Sequence, residues 1–284
     1  MQHVVVIGAG QAGASCVAKL RNGGFEGKIT LIGAEPCPPY QRPPLSKGYL
    51  LGDMTLERLF LRPEAFYADQ GIALKTDCRV TAIDPETRVL ATTVGQIAYD
   101  ELVLATGSLP RRLPAAIGGD LVGVFTVRDL ADVDAMAPRF SKGAKVLIVG
   151  GGYIGLEAAA VAAKLGLEVT LVEMADRILQ RVAAPETSDY FRALHEGHGV
   201  TLREGVGLER LLGEGHVTGA RLSDGTEIAA DFVITGVGIE PDIALAKAAG
   251  IEIDNGIKVD AQGRTSVPGI WAAGDCTSFP YRGG

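Results

Sequence analysis

Apolar residues along the chain gather in short unbroken runs, each ending in glycine or an acid. The first run, Val4-Val5-Val6-Ile7, leads directly into Gly8-Ala9-Gly10-Gln11-Ala12-Gly13 and then an Ala-rich stretch to about Arg21. This order predicts a strand, a tight turn and a helix. Lys28 to Ile32 predicts a second strand, with Glu35 just beyond it. The same order returns later as Lys145–Val149, Gly150-Gly151-Gly152-Tyr153-Ile154-Gly155, a helix through Lys164, a strand Glu168 to Val172, and Glu173. Asp84-Pro85-Glu86 and Ser223-Asp224-Gly225 predict hairpin turns in small antiparallel layers. The expectation is an α/β fold with two Rossmann-like dinucleotide-binding domains, each a parallel sheet plus a small antiparallel layer.

The glycine spacing carries chemistry. In a G-x-G-x-x-G turn the first glycine (Gly8, Gly150) permits the bend. The second (Gly10, Gly152) lets backbone approach a pyrophosphate, and the third (Gly13, Gly155) lets helix and strand pack closely. The helix N-terminus then offers free N–H groups to phosphate. Glycine-rich turns can also serve only to tighten a parallel sheet. Two copies, each with a strand before, a helix after and an acid at the next strand end, point instead to two dinucleotide sites. Glu173 favours NADH, because a carboxylate accepts from a ribose 2′-hydroxyl and repels the 2′-phosphate of NADPH. Arg177, four residues on, is the residue that could instead meet a phosphate.

Composition narrows the classes. The 284 residues are 47% hydrophobic, enough for two domains of ordinary size. The formal charge of −7 argues against nucleic acid as a default partner. No uninterrupted apolar run reaches the roughly 18 residues of a membrane span, since Glu157 to Met174 is broken by Lys164 and Glu168. Met1-Gln2-His3 leads straight into the first strand without a basic leader, which reads as a cytoplasmic protein. Cys16, Cys37, Cys78 and Cys276 form no C-x-x-C pair, so neither a dithiol centre nor a metal site is expected, and the cysteines read as small packed hydrophobes. His3, His195, His198 and His216 stand outside the cofactor segments and read as structural or exposed.

Three further segments make the reading specific: Pro39-Tyr40-Gln41-Arg42-Pro43-Pro44-Leu45-Ser46-Lys47, Leu102-Val103-Leu104-Ala105-Thr106-Gly107, and Trp271-Ala272-Ala273-Gly274-Asp275-Cys276. In this order around two glycine turns, they resemble the FAD-dependent, NADH-using ferredoxin reductases of bacterial oxygenase electron-transfer chains. The resemblance runs the length of the chain. It implies FAD at the first site, with Gly8, Gly10, Ala12 and Gly13 in the pyrophosphate turn, Ala34 and Glu35 near the adenosine ribose, and Val80 at the adenine. It also implies that Arg42 and Lys47 face the pyrophosphate and flavin, that Arg128 meets the FAD phosphates, that Ala105, Thr106 and Gly107 form a crossing loop against the cofactor, and that Asp275 binds a ribityl hydroxyl. For NADH it implies Gly150, Gly152, Ile154, Gly155, Glu173, Val237 and Gly238, with Gly236-Val237-Gly238 lining the cleft. Glu157 would pair with Lys47 beside the flavin and nicotinamide. Taken alone, Lys47 reads as a solvated lysine and Glu157 as an acid favoured at a helix N-terminus.

The implied reaction needs no acid, base or nucleophile, because flavin supplies the hard chemistry. Related oxidases and peroxidases carry a redox cysteine after a Leu-Ser pair, where this chain has Lys47. Without a thiol relay, the expected acceptor is a [2Fe-2S] ferredoxin feeding a haem monooxygenase or a ring-hydroxylating dioxygenase. A small quinone-type acceptor, or a redox-sensing flavoprotein that does not turn over, is the alternative. The expected order is residues 1–113 and 242–284 for FAD and residues 114–241 for NADH. Members of the family continue past the position of Gly284 into a C-terminal interface domain, so this chain is expected to lack that domain, to hold FAD less tightly and to expose it to oxygen.

Overall fold

Strand β1 (His3–Ile7) is the middle of a five-stranded parallel sheet, with helix α1 (Gln11–Asn22) following it. Beside β1 lie β2 (Lys28–Ile32) and then β3 (Ile72–Lys75) on one side. On the other side are β7 (Glu101–Leu104) and the strand Ile270–Ala272. Successive β1 residues face opposite ways, and both faces are covered. Val4 and Val6 pack with Val17, Ile29, Leu31 and Tyr67. Val5 and Ile7 pack with Leu90, Leu102 and Leu104, beneath an antiparallel layer of β4 (Val80–Asp84), β5 (Val89–Thr92) and β6 (Gly95–Ala98). That double burial is why the opening run is apolar without alternation, and each fully buried side chain of this kind contributes about 1.5–3 kcal/mol. At the β4–β5 turn, Asp84 Oδ1 accepts from the N–H groups of Glu86 and Thr87.

The second unit repeats the plan. Its parallel sheet runs β11 (Thr201–Glu204), β10 (Glu168–Glu173), β9 (Lys145–Val149), β15 (Phe232–Thr235), β8 (Val124–Phe125), and α2 (Leu130–Met136) follows β8 in the chain. Helix α3 (Tyr153–Lys164) packs on β9 and β10 through Ala158, Ala159 and Ala162, all fully buried. Small side chains there let the helix approach the sheet closely. Helix α4 (Pro185–Gly197) packs beside β11. The antiparallel layer is β12 (Leu208–Leu212), β13 (Gly219–Leu222) and β14 (Glu227–Ala229), and the β13–β14 turn closes on Gly225 at φ +83°. The predicted α/β architecture, with a parallel sheet and an antiparallel layer in each half, is the one observed.

The computed structural model describes residues 2–281. Contacts divide the chain into one unit of Met1–Gln41, Leu56–Leu109 and Glu240–Gly284 and a second of Arg42–Thr55 and Pro110–Ile239. Residues 42–55, read along the chain with the first half, cluster with the second because the turn Leu45–Tyr49 packs on α3 and α2. No described helix is long and apolar enough to cross a membrane. No metal-ligating cluster occurs among the described residues.

Candidate nucleotide sites

The first glycine turn is built by exclusion. Gly8 sits at φ +112°, and a methyl group there would overlap the carbonyl oxygen of Ala105. A methyl on Gly13 would overlap the carbonyl oxygen of Gly8. Gly10, between them, has nothing within 4 Å of where its Cβ would stand. It is also the N-cap of α1 and supplies no side-chain cap, which leaves the helix's first N–H groups for a ligand. The outer glycines are therefore required by the protein's own packing, and the middle one faces open space, as a pyrophosphate cradle demands. Residues 273–275 come down over this turn, since a Cβ on Gly274 would lie 2.8 Å from Cβ of Ala12.

Asp275 is exposed at the edge of a cavity of about 710 Å³ lined also by Asp260, Gly263 and Thr277, and its Oδ2 accepts from Ser108 Oγ at 3.2 Å. Ala105 is buried, and its N–H donates to Ile7 O at 2.7 Å. Thr106 Oγ1 donates to Asp242 O at 2.7 Å, and Gly107 turns the chain at φ +75°. Glu35 is half-buried and accepts from Tyr40 Oη at 2.5 Å, Ala34 beside it is exposed, and Val80 is buried at the start of β4. The chain thus gathers the phosphate turn, the acid and the Asp275 loop in one unit, and these fit a dinucleotide.

The second turn has the same logic. Gly150 sits at φ +109°, and a Cβ there would lie 2.5 Å from Gly236 O. A methyl on Gly155 would overlap Gly150 O, while Gly152, the uncapped N-cap of α3, again faces open space. Gly150, Gly152, Glu173, Val237 and Gly238 line one cavity of about 730 Å³. Both oxygens of Glu173 are engaged by backbone: Oε2 accepts from Gly151 N–H at 2.7 Å and Oε1 from Ala175 N–H at 2.8 Å. Each oxygen keeps a second lone pair, so the carboxylate is held in place and can still accept from a hydroxyl. Arg177 lines the cavity, but its guanidinium is tied to Ser188 Oγ at 2.6 Å and Gln180 O at 3.4 Å. Arg181, which the sequence reading passed over, lines the cavity and is exposed. Ile154, Gly155 and Glu157 stand outside this lining.

Glu157 instead meets the excursion of residues 42–55. Lys47 Nζ lies 2.6 Å from Glu157 Oε2 and donates to Pro43 O at 3.0 Å. Ser46 Oγ donates to the same Oε2 at 2.6 Å. Nothing in the spacing announces that contact, which spans 111 residues. Arg42 Nη1 donates to Arg128 O at 2.7 Å, and Arg128 N–H donates to Asp132 Oδ2 at 2.9 Å. Burial, then the neighbouring Asp129 charge, pushes the Asp132 carboxyl above the usual range.

Two glycine turns, each opening a helix on its own parallel sheet, make a two-dinucleotide-binding architecture, and sequence comparison gives its lineage. Residues 2–283 match the model of the pyridine nucleotide-disulphide oxidoreductase family, and the chain belongs to that family. It is 47% identical over 277 residues to a ferredoxin–NAD(P)(+) reductase of Sphingomonas sp., covering 97% of this chain and 67% of that one. It is 41% identical to the ferredoxin–NAD(+) reductase component of a p-cumate 2,3-dioxygenase system of Pseudomonas putida, covering 100% of this chain and 70% of the relative. Among solved structures, the covalent putidaredoxin reductase–putidaredoxin complex matches with a TM-score of 0.94 at 40% identity, covering 99% of this chain and 69% of that one. The resemblance read from the sequence is borne out. The family and these relatives imply a flavin and a nicotinamide cofactor.

Proposed function

We propose that this chain is an NADH-dependent, FAD-containing ferredoxin reductase that passes single electrons to a [2Fe-2S] ferredoxin serving a haem monooxygenase or a ring-hydroxylating dioxygenase. Bound flavin accepts a two-electron hydride and releases electrons singly, so the protein's task is to hold, orient and tune. In this reading the first unit takes FAD. The uncapped start of α1 receives its pyrophosphate, Glu35 and Ala34 flank a ribose, Val80 flanks the adenine, and Asp275 accepts from a ribityl hydroxyl. Arg42 and Arg128 supply positive charge for phosphate, and Lys47 stands on the flavin side with Glu157 as its counter-ion. The second unit takes NADH on α3 in the same way, and Glu173 accepts from the adenosine ribose. Work of this kind belongs in the cytoplasm, where NADH is produced.

The observation that carries the choice of NADH is the anchored Glu173. A carboxylate pinned by two backbone N–H groups cannot swing aside for a 2′-phosphate without leaving those groups unpaired. The deciding experiment is an anaerobic titration of the purified chain with NADH and with NADPH, followed by addition of ferredoxin. Bleaching of a flavin spectrum by NADH at far lower concentration than by NADPH, then one-electron reduction of ferredoxin, is expected. Bleaching without onward transfer to ferredoxin, but with transfer to a small quinone, would redirect the acceptor. Equal response to both nucleotides would remove the role given to Glu173.

A further inference from the structure

Ser46 and Lys47 are consecutive, yet both reach one oxygen atom. In a regular helix adjacent side chains point well apart and do not face the same partner. Here the turn Leu45–Tyr49 is wound with wider hydrogen bonds, such as Tyr49 N–H to Pro44 O at 3.0 Å, and Lys47 leaves helical geometry at φ −132°, ψ −110°. Turns of this wide kind recur at functional sites. The departure swings the lysine chain back so that its ammonium and the Ser46 hydroxyl converge on Glu157 Oε2, each at 2.6 Å. Tyr49 Oη donates to Asp134 Oδ1 at 2.9 Å and ties the end of the turn to α2.

The three groups differ in burial. Ser46 is 5% exposed, whereas the side chains of Lys47 and Glu157 are 47% and 31% exposed. A half-exposed ion pair alone is worth little and wanders, because water screens the attraction and both chains are flexible. A buried neutral hydroxyl has neither weakness. Its hydrogen bond to a carboxylate is charge-assisted, and its short side chain allows almost no play. The anchor of the pair is therefore the serine, with the lysine following where the carboxylate is held.

We infer that Ser46 is a positioning residue: by fixing Oε2 of Glu157 it sets where the Lys47 ammonium stands, and through that lysine it governs hydride delivery to the flavin. The inference rests on the flavin-side role proposed for Lys47. Its test uses the full chain, the variants Ser46→Ala, Ser46→Thr and Lys47→Met, and the double variant. One measurement is the limiting rate of flavin reduction by NADH in anaerobic stopped flow. The other is the rate at which acetic anhydride acylates the Lys47 amine, read by mass spectrometry with and without flavin.

Ser46→Ala is expected to lower the limiting rate by a factor of about ten, the loss of one charge-assisted hydrogen bond, at unchanged apparent NADH affinity. Ser46→Thr, which keeps the hydroxyl, should stay within about threefold of the parent. In the Lys47→Met background, Ser46→Ala should have no further effect, because the group it positions is gone. Acylation of Lys47 should be several times faster in Ser46→Ala than in the parent. A Ser46→Ala protein with parental reduction and parental labelling overturns the inference, as does an equal loss in the Lys47→Met background. If the parent chain takes up no flavin, the proposed function fails on its own, and the labelling ratio still decides whether Ser46 holds Lys47. Should Ser46→Ala not fold, Ser46→Cys, a weaker donor of similar size, is expected to raise labelling in the same direction, and parental labelling in it counts against the inference.

Discussion

The two nucleotide turns look interchangeable along the chain, yet the folded units place their acids differently. Ile7 pairs with Ile32 in one sheet and Val149 with Val172 in the other, so Gly33, not Glu35, is the structural counterpart of Glu173. At the first turn a methyl belongs to the turn itself. Ala9 carries it, and Gly33 opposite is bare, since a Cβ on Gly33 would meet that of Ala9 at 2.6 Å. At the second turn the arrangement is reversed. Gly151 is bare, and the space is used by Glu173 and Ile178, whose atoms would meet a Cβ on Gly151 at 3.1 and 2.6 Å. Leu179 N–H donates to Gly151 O at 2.9 Å and closes the loop against the turn. Glu173 is thus bonded to the second glycine turn itself, while Glu35 is bonded to Tyr40 Oη. One repeated motif therefore yields an acid bonded to the backbone of its own glycine turn in one copy and an acid that meets a tyrosine hydroxyl in the other.

The largest test of that contrast is Glu173→Ala. We expect the preference for NADH over NADPH to fall by about 100-fold, close to 2–3 kcal/mol, as one acceptor is lost and two backbone N–H groups lose their partner. Glu35→Ala should leave this ratio unchanged, and flavin reduction at varied NADH and NADPH reads both. Next in size is the reciprocal pair Gly151→Ala and Ala9→Gly. The added methyl crowds Ile178 and Glu173 and is expected to cost about 2 kcal/mol and weaken NADH binding while flavin content holds. The lost methyl should cost about 1 kcal/mol in the first unit. Hydrogen exchange resolved by peptide assigns each loss to its unit, and a loss of equal size and place in both variants breaks the comparison.

Smaller effects come from individual buried polar groups. In the second unit Ser188 Oγ donates to Ile178 O at 2.6 Å, and His195 sets its two ring nitrogens against Phe191 O and Leu156 O. In the first, Tyr67 Oη is buried without a hydrogen-bond partner, and burial pushes its pKa up to about 12. Tyr67→Phe removes an unpaired hydroxyl and is expected to be neutral or to stabilise by up to about 1 kcal/mol in urea unfolding. Smallest is a pH effect at Asp132. Its folded pKa lies above the unfolded value of 3.8, so the folded chain binds the extra proton between the two values. The stability linked to this group is present below 3.8 and is lost as pH rises through the folded value. Asp132→Asn should therefore shrink that decline, seen as a flatter melting temperature against pH above 4 or so.

Much of the architecture could be read along the chain. The strands at Lys28–Ile32 and Lys145–Val149 and the helix Tyr153–Lys164 fall where the apolar runs and glycines put them. The hairpins at Asp84 and Ser223 close where short polar turns interrupt strands. These features obey local rules. A central parallel strand covered on both faces must be apolar throughout, and a bend whose Cβ would strike a carbonyl must be glycine, whatever lies elsewhere in the molecule. The duplication of the fold follows from nothing longer than one turn and its neighbours.

Other features depend on distant partners. Arg177 follows the acid closely enough to suggest a phosphate ligand, but Ser188, on a helix that begins later, draws it away. Residues 42–55 sit in sequence within the first unit and fold with the second, because their partners, Glu157 and Asp134, lie more than 80 residues downstream. Ser46 lies in the segment that carries the resemblance, but nothing local marks it as a partner of Glu157, and its meaning comes from a carboxylate on another element. Local sterics and burial patterns are written into each stretch of chain and dictate which turns and strands form. Which polar groups converge is settled only when the sheets have closed and each buried donor takes the acceptor within reach.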